Sequence, residues 1–118
     1  MNFPKSEYID RLAKVKKSMQ EKKIDLLISQ DTANMNYLTG YDAWSFYYAQ
    51  CVLVHVDLDE PFLFVRDQDA GGAFLQSCWS QENIIVYAEK YIHTWPEHPY
   101  DYLIAVSYTH LTLPTRLP

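Results

Sequence analysis

At 118 residues, with 15% aromatic content and ten tyrosines, the chain can bury a core but holds one domain at most, and its composition excludes a disordered protein. A net charge of -5 and a pI near 5.2 exclude a nucleic-acid surface, which needs clustered Lys and Arg to release counterions from phosphates. No apolar run approaches the roughly 20 residues of a membrane span and residues 1–5 do not form a signal peptide, so the expected compartment is the cytoplasm, with no membrane partner.

In chain order, Ser6 is the expected cap of a helix that begins at Glu7, whose charge suits the positive end of the helix dipole. Tyr8, Leu12, Val15 and Met19 form one apolar stripe at helical spacing, and Lys22 and Lys23 close the helix where cations are favoured. The remaining basic residues of this segment, Lys14, Lys16 and Lys17, read as a solvated helix face. Ile24, Leu26, Leu27 and Ile28 are a short apolar run, which predicts a strand covered on both faces. Asp31 is the predicted N-cap of a short helix in which Met35 and Leu38 make an apolar pair, and Gly40 is its left-handed terminator.

Residues 41–48 read as a loop rich in aromatics. Residues 51–56 (CVLVHV) and 61–65 (PFLFV) then form an antiparallel hairpin, with a structural role expected for His55. Residues 70–78 are a predicted helix with Phe74, Leu75 and Cys78 as its apolar side and Gly71 and Gly72 explained by close backbone packing. Residues 83–87 (NIIVY) are the next strand, residues 88–99 are irregular, and residues 100–105 open a last helix. Alternation of helix, strand, helix, hairpin, helix, strand and helix predicts an α/β fold with a mixed sheet flanked by helices. Cys51 and Cys78 lack a C-x-x-C spacing, so two reduced thiols are expected rather than a disulfide or a metal site.

The strand at residues 24–28, NMNYLTGYD (34–42) and WSF (44–46) occur in an order that resembles the N-terminal domain of the creatinase, prolidase and aminopeptidase P group of metallohydrolases. GYDAWSFY, QDAGGA and HPYDYL are most similar to its ectoine hydrolase branch, and the resemblance runs from residue 3 to about 105. It implies a non-catalytic domain. Hydrolysis of a C–N bond, in ectoine or in an Xaa-Pro peptide, would fall to a later domain with Asp, Asp, His, Glu and Glu motifs that have no counterpart here. It also implies a homodimer, in which the loop at residues 41–48 is lent to an active-site mouth.

Within creatinase the matching loop places an aromatic residue and an arginine on the substrate. Ser45 and Phe46 match its Ser-Phe pair, whereas Tyr48 stands at the arginine position and cannot give a charged bidentate grip. Trp44, Phe46, Tyr47 and Tyr48 are the candidate substrate contacts, because the loop holds more aromatics than one strand face can bury, and His98 is a further candidate. No catalytic residue and no metal ligand set is expected in this chain: Asp67 and Asp69 read as turn and cap residues, and His93 and His98 have a spacing that fits neither face of a helix. A divalent metal would belong to the later domain.

Residues 106–115, VSYTHLTLPT, back-translate codon for codon into a transposase end followed by a sequencing adapter. The expected native domain is therefore residues 1–105, incomplete at its C-terminal end, with residues 106–118 an adapter translation. Two other functions compete with the hydrolase fragment. One is a free-standing α/β binding or dimerisation module, and the other is a nucleotide site at Gly71 and Gly72.

Overall fold

The computed structural model describes residues 3–42, 48–88 and 98–110, the last five of these by their backbone alone. Helix α1 (Lys5–Glu21) starts one turn-former earlier than the sequence predicts: Pro4 sits at its N-cap, its carbonyl accepts from the Glu7 amide, and no side chain caps the end. Proline fits there because its fixed φ is already suited to a helix start. The predicted stripe holds, with Tyr8, Leu12 and Met19 buried and Val15 half-buried. Arg11, on the flank of the stripe, lies 4.5 Å from the Tyr37 ring centroid and donates to the Tyr37 carbonyl, which clamps α1 to the next helix.

Strand β1 (Leu26–Ser29) leads to helix α2 (Thr32–Thr39), whose ends are those the sequence predicts. Asp31 accepts from the Asn34 amide, and Gly40 terminates the helix at φ 86°. Strands β2 (Cys51–His55) and β3 (Phe62–Arg66) make the expected antiparallel hairpin, and β4 (Ile84–Tyr87) pairs with β3 in parallel. The four strands form one mixed sheet in the order β1-β2-β3-β4. Helix α3 (Ala70–Gln76) follows a 3-10 turn at Asp67–Asp69, and helix α4 (Pro99–His110) completes the α/β fold.

Alternation along the strands divides the core in two. Val52, Val54, Leu63 and Val65 meet α1, α2 and α3 on the first face. Cys51, Leu53, Phe62, Phe64, Ile85 and Tyr87 meet Leu103 of α4 on the second. Since β2 and β3 are covered on both faces, they read as unbroken apolar runs.

Three expectations fail in instructive ways. β1 is an edge strand, and Leu26 and Ile28 are 39% and 49% exposed rather than buried. The inward side of α3 is Ala70 and Ala73, while Phe74 and Leu75 face out; small side chains let the helix sit close to β3 and β4. Close packing does not explain the glycines. A Cβ on Gly71 would meet nothing within 4 Å, and one on Gly72 would make ordinary contact with Tyr41 at 3.7 Å.

Gly71 therefore carries only the entropic cost of glycine inside a helix. Gly71→Ala is expected to stabilise the chain by about 0.5–1 kcal/mol, read from the shift of the urea midpoint. A loss of stability would contradict the open space at this position.

Candidate functional site

The aromatic loop is held at both ends. At its start the Tyr41 amide donates to Thr39 Oγ1, and the Asp42 amide donates to Gln76 Oε1, which joins the exit of α2 to α3. Thr39 is available for this because its own hydroxyl donates back to the Met35 carbonyl inside α2. At the far end the Tyr87 hydroxyl donates to the Ala49 carbonyl at 2.6 Å, joining the loop exit to β4. Trp44, Phe46 and Tyr47, three of the candidate contacts, lie outside the described residues.

Tyr48 is described, and its neighbour was not legible in the sequence. The Arg66 guanidinium lies 3.8 Å from the centroid of the Tyr48 ring, a stacked cation on an aromatic face. Arg66 is the last residue of β3, and its Nε donates to Asp69 Oδ2 at 2.8 Å in an ion pair whose side chains are only 11% and 10% exposed. Burial works against the Arg66 charge, yet the Asp69 carboxylate and Tyr48 hold its pKa above the ordinary value. Tyr48, which precedes β2, thus has beneath it a guanidinium brought from the end of β3.

Tyr41 shares this corner. Burial first, and then the Asp69 carboxylate, push its hydroxyl up to about 12, so it remains a neutral donor across the physiological range. The signal that could have revealed the cluster is the Arg-x-x-Asp spacing directly after an apolar strand, FLFVRDQD, which places the two side chains together across a single turn.

His98 is exposed and caps α4: its Nδ1 accepts from the Tyr100 amide, and its own amide donates to Asp101 Oδ2. Tyr100 then reaches the second core at 5.9 Å from Phe64, and its hydroxyl accepts from Gln30 Nε2 at 2.7 Å. Ala49 packs on the same core, so the segments bearing Tyr48 and His98 border one apolar cluster.

His55 is buried and its Nδ1 accepts from the Asp57 amide, a local bond that closes the hairpin turn. Burial pushes the Cys51 thiol up to about 12, which leaves it an inert packing group. Among the described residues, no three His, Cys, Asp or Glu side chains come close enough to hold a metal ion. No described helix is long and apolar enough to cross a membrane. Gly71 and Gly72 lie inside the first turns of a seven-residue helix that begins beside Asp67 and Asp69, and those carboxylates repel the phosphate a glycine cradle would need to attract.

Comparison with known proteins agrees with this architecture. The family model for the Creatinase/Prolidase N-terminal domain matches residues 11–115. The chain is 45% identical over 102 residues to an ectoine hydrolase from Halomonas elongata, a match that takes in 86% of this chain and 25% of that protein. It is 43% identical over 98 residues to the uncharacterized hydrolase/peptidase y4tM of Sinorhizobium fredii, again over 25% of the relative. The chain therefore spans about a quarter of the length of these relatives. Among solved structures, the N-terminal domain of an X-Pro dipeptidase from Streptococcus pyogenes superposes with a TM-score of 0.68 at 24% identity, over 90% of this chain and 69% of that one. The N-terminal domain of an Xaa-Pro dipeptidase from Lactobacillus brevis gives 0.69 at 16% identity, over 86% and 69%. With a family model that spans most of its length, the chain belongs to the creatinase/prolidase N-terminal domain family.

Proposed function

We propose that these residues are the front of a cytoplasmic creatinase-like hydrolase whose chemistry is done by a later domain, and that residues 106–118 are adapter sequence rather than native protein. The observation that carries this reading is the 45% identity to a hydrolase of which the chain covers only 25%. That identity also favours ectoine, a small zwitterionic amino-acid derivative, over an Xaa-Pro peptide as the substrate. In the whole enzyme a divalent metal in the later domain would activate the water that attacks the C–N bond.

This domain contributes shape. It takes part in a homodimer and presents the aromatic loop at the mouth of an active site, with Tyr48 fixed in place by Arg66. The Tyr48 ring offers an apolar face and a hydroxyl. The Arg66 charge beneath it is balanced by Asp69, so the corner selects by stacking and hydrogen bonding rather than by a bare cation. Trp44, Phe46, Tyr47 and His98 complete the proposed contact set.

The purified 118-residue chain is expected to hydrolyse neither ectoine nor an Xaa-Pro dipeptide with any divalent metal added, and turnover by this chain would contradict the assignment. In the full-length enzyme, Tyr48→Ala should lower kcat/KM by about tenfold, with an unchanged melting temperature. Wild-type kinetics would remove the lent loop from the account.

A further inference from the structure

Two neighbouring side chains grip the exit of the aromatic loop. β3 and β4 run parallel, and their last residues, Arg66 and Tyr87, are paired in register. Each meets one of two consecutive loop residues: the Arg66 guanidinium lies under the Tyr48 ring, and the Tyr87 hydroxyl donates to the Ala49 carbonyl. Tyr48 is therefore held directly at its ring and indirectly through the backbone that follows it.

The bond from Tyr87 crosses the width of a strand. β3 lies between β4 and β2 in the sheet, and Ala49 stands two residues before β2, so the Tyr87 side chain has to span β3 to reach it. On the way its ring stacks on Phe64 at a centroid distance of 4.8 Å, fully buried in the second core. A phenylalanine would fill this part of the core equally well. A hydroxyl taken out of water costs free energy that a hydrogen bond must offset, so the Tyr87 oxygen is explained by the carbonyl it holds and not by packing.

The place of that carbonyl gives the bond its leverage. Gln50 and Cys51, which follow Ala49, are buried, so the anchored peptide plane sits where the chain enters the sheet. Between this plane and the Tyr48 Cα the backbone has no soft torsions except φ and ψ of Ala49. The bond at the loop start, from the Asp42 amide to Gln76, is exposed to water, whereas the Tyr87 bond is part-buried and electrostatically the stronger.

We infer, on the reading that Tyr48 meets substrate, that Tyr87 is a positioning residue for Tyr48: its hydroxyl sets the backbone through the Ala49 carbonyl while Arg66, its neighbour across the ladder, sets the ring. The pair orders Tyr48 before substrate arrives, so the entropy of fixing the contact is lost on folding and not on binding. An ordered contact serves ground state and transition state alike, and losing it weakens substrate binding more than it slows turnover.

Tyr87→Phe tests this in two settings. In the 118-residue chain, the amide order parameters of Tyr48 and Ala49 should fall from about 0.85 to below about 0.6, while Ile85 stays rigid and shows that β4 is intact. In the full-length enzyme, Tyr87→Phe should raise KM by about fivefold and leave kcat within about twofold. Added to Tyr48→Ala, it should change KM by less than about a further twofold, because the hydroxyl acts through Tyr48. Unchanged order at Tyr48 and Ala49 would overturn the positioning role and leave the hydrolase assignment standing. An equal rise in KM with and without Tyr48→Ala would also overturn it, by giving Tyr87 to the fold at large. Lost order with wild-type kinetics in both Tyr87→Phe and Tyr48→Ala would overturn it from beneath, by removing the lent loop itself.

Discussion

Asp69→Ala is expected to cost about 1–3 kcal/mol of stability, because it takes the carboxylate partner from a part-buried Arg66 guanidinium. The loss is mainly that of leaving a charge unpaired, so its size does not measure the worth of the pair. Replacing both residues, as Arg66→Met with Asp69→Leu, should recover most of it. A domain of this size has a total stability of about 5–15 kcal/mol, so the single variant should remain folded with a measurably lower urea midpoint. Urea unfolding followed by tyrosine and tryptophan fluorescence reads the effect. A loss under about 0.5 kcal/mol would mean that Arg66 is solvated, and would remove the support beneath Tyr48.

Phe64→Ala should cost more, about 3–5 kcal/mol. Phe64 is fully buried in the middle of β3, its ring stacked 4.8 Å from Tyr87 and 5.9 Å from Tyr100. Removing it opens a cavity between the sheet and α4, and neighbouring rings relax too little to fill it. Leu75→Ala supplies the contrast: Leu75 is 86% exposed, and its truncation should change stability by less than about 0.5 kcal/mol. The two substitutions remove comparable apolar side chains, so the difference between them measures burial and packing. Equal effects would contradict the orientation of α3.

The ends of α2 and the hairpin were legible because their signals are local. Asp31 and Gly40 bracket α2 through bonds to residues at most four positions away, and the hairpin closes over a short polar turn. α3 was misread because its inward side is made of Ala70 and Ala73, and small residues carry little apolar signal beside Phe74 and Leu75. The glycines next to them invited an explanation by close packing that the open space at Gly71 does not support.

The candidate site was legible in part. Composition marked the aromatic loop, and the order of its residues carried the family resemblance. The Arg66 to Tyr48 stack joins the end of β3 to a residue before β2, eighteen positions apart in the sequence, and such a contact leaves no periodicity. A stronger weight on Arg-x-x-Asp at a strand end would have found the ion pair but not the ring above it. Trp44, Phe46 and Tyr47 lie outside the described residues, so their role rests on the resemblance and the kinetics of the full-length enzyme.

Re-amplifying the source DNA and reading through codon 105 into the following several hundred nucleotides tests the central claim most directly. The account predicts an open frame that departs from VSYTHLTLPTRLP, continues α4 and goes on to Asp, Asp, His, Glu and Glu motifs. A frame that encodes those thirteen residues and then stops would contradict it, and would leave a free-standing module of the same fold.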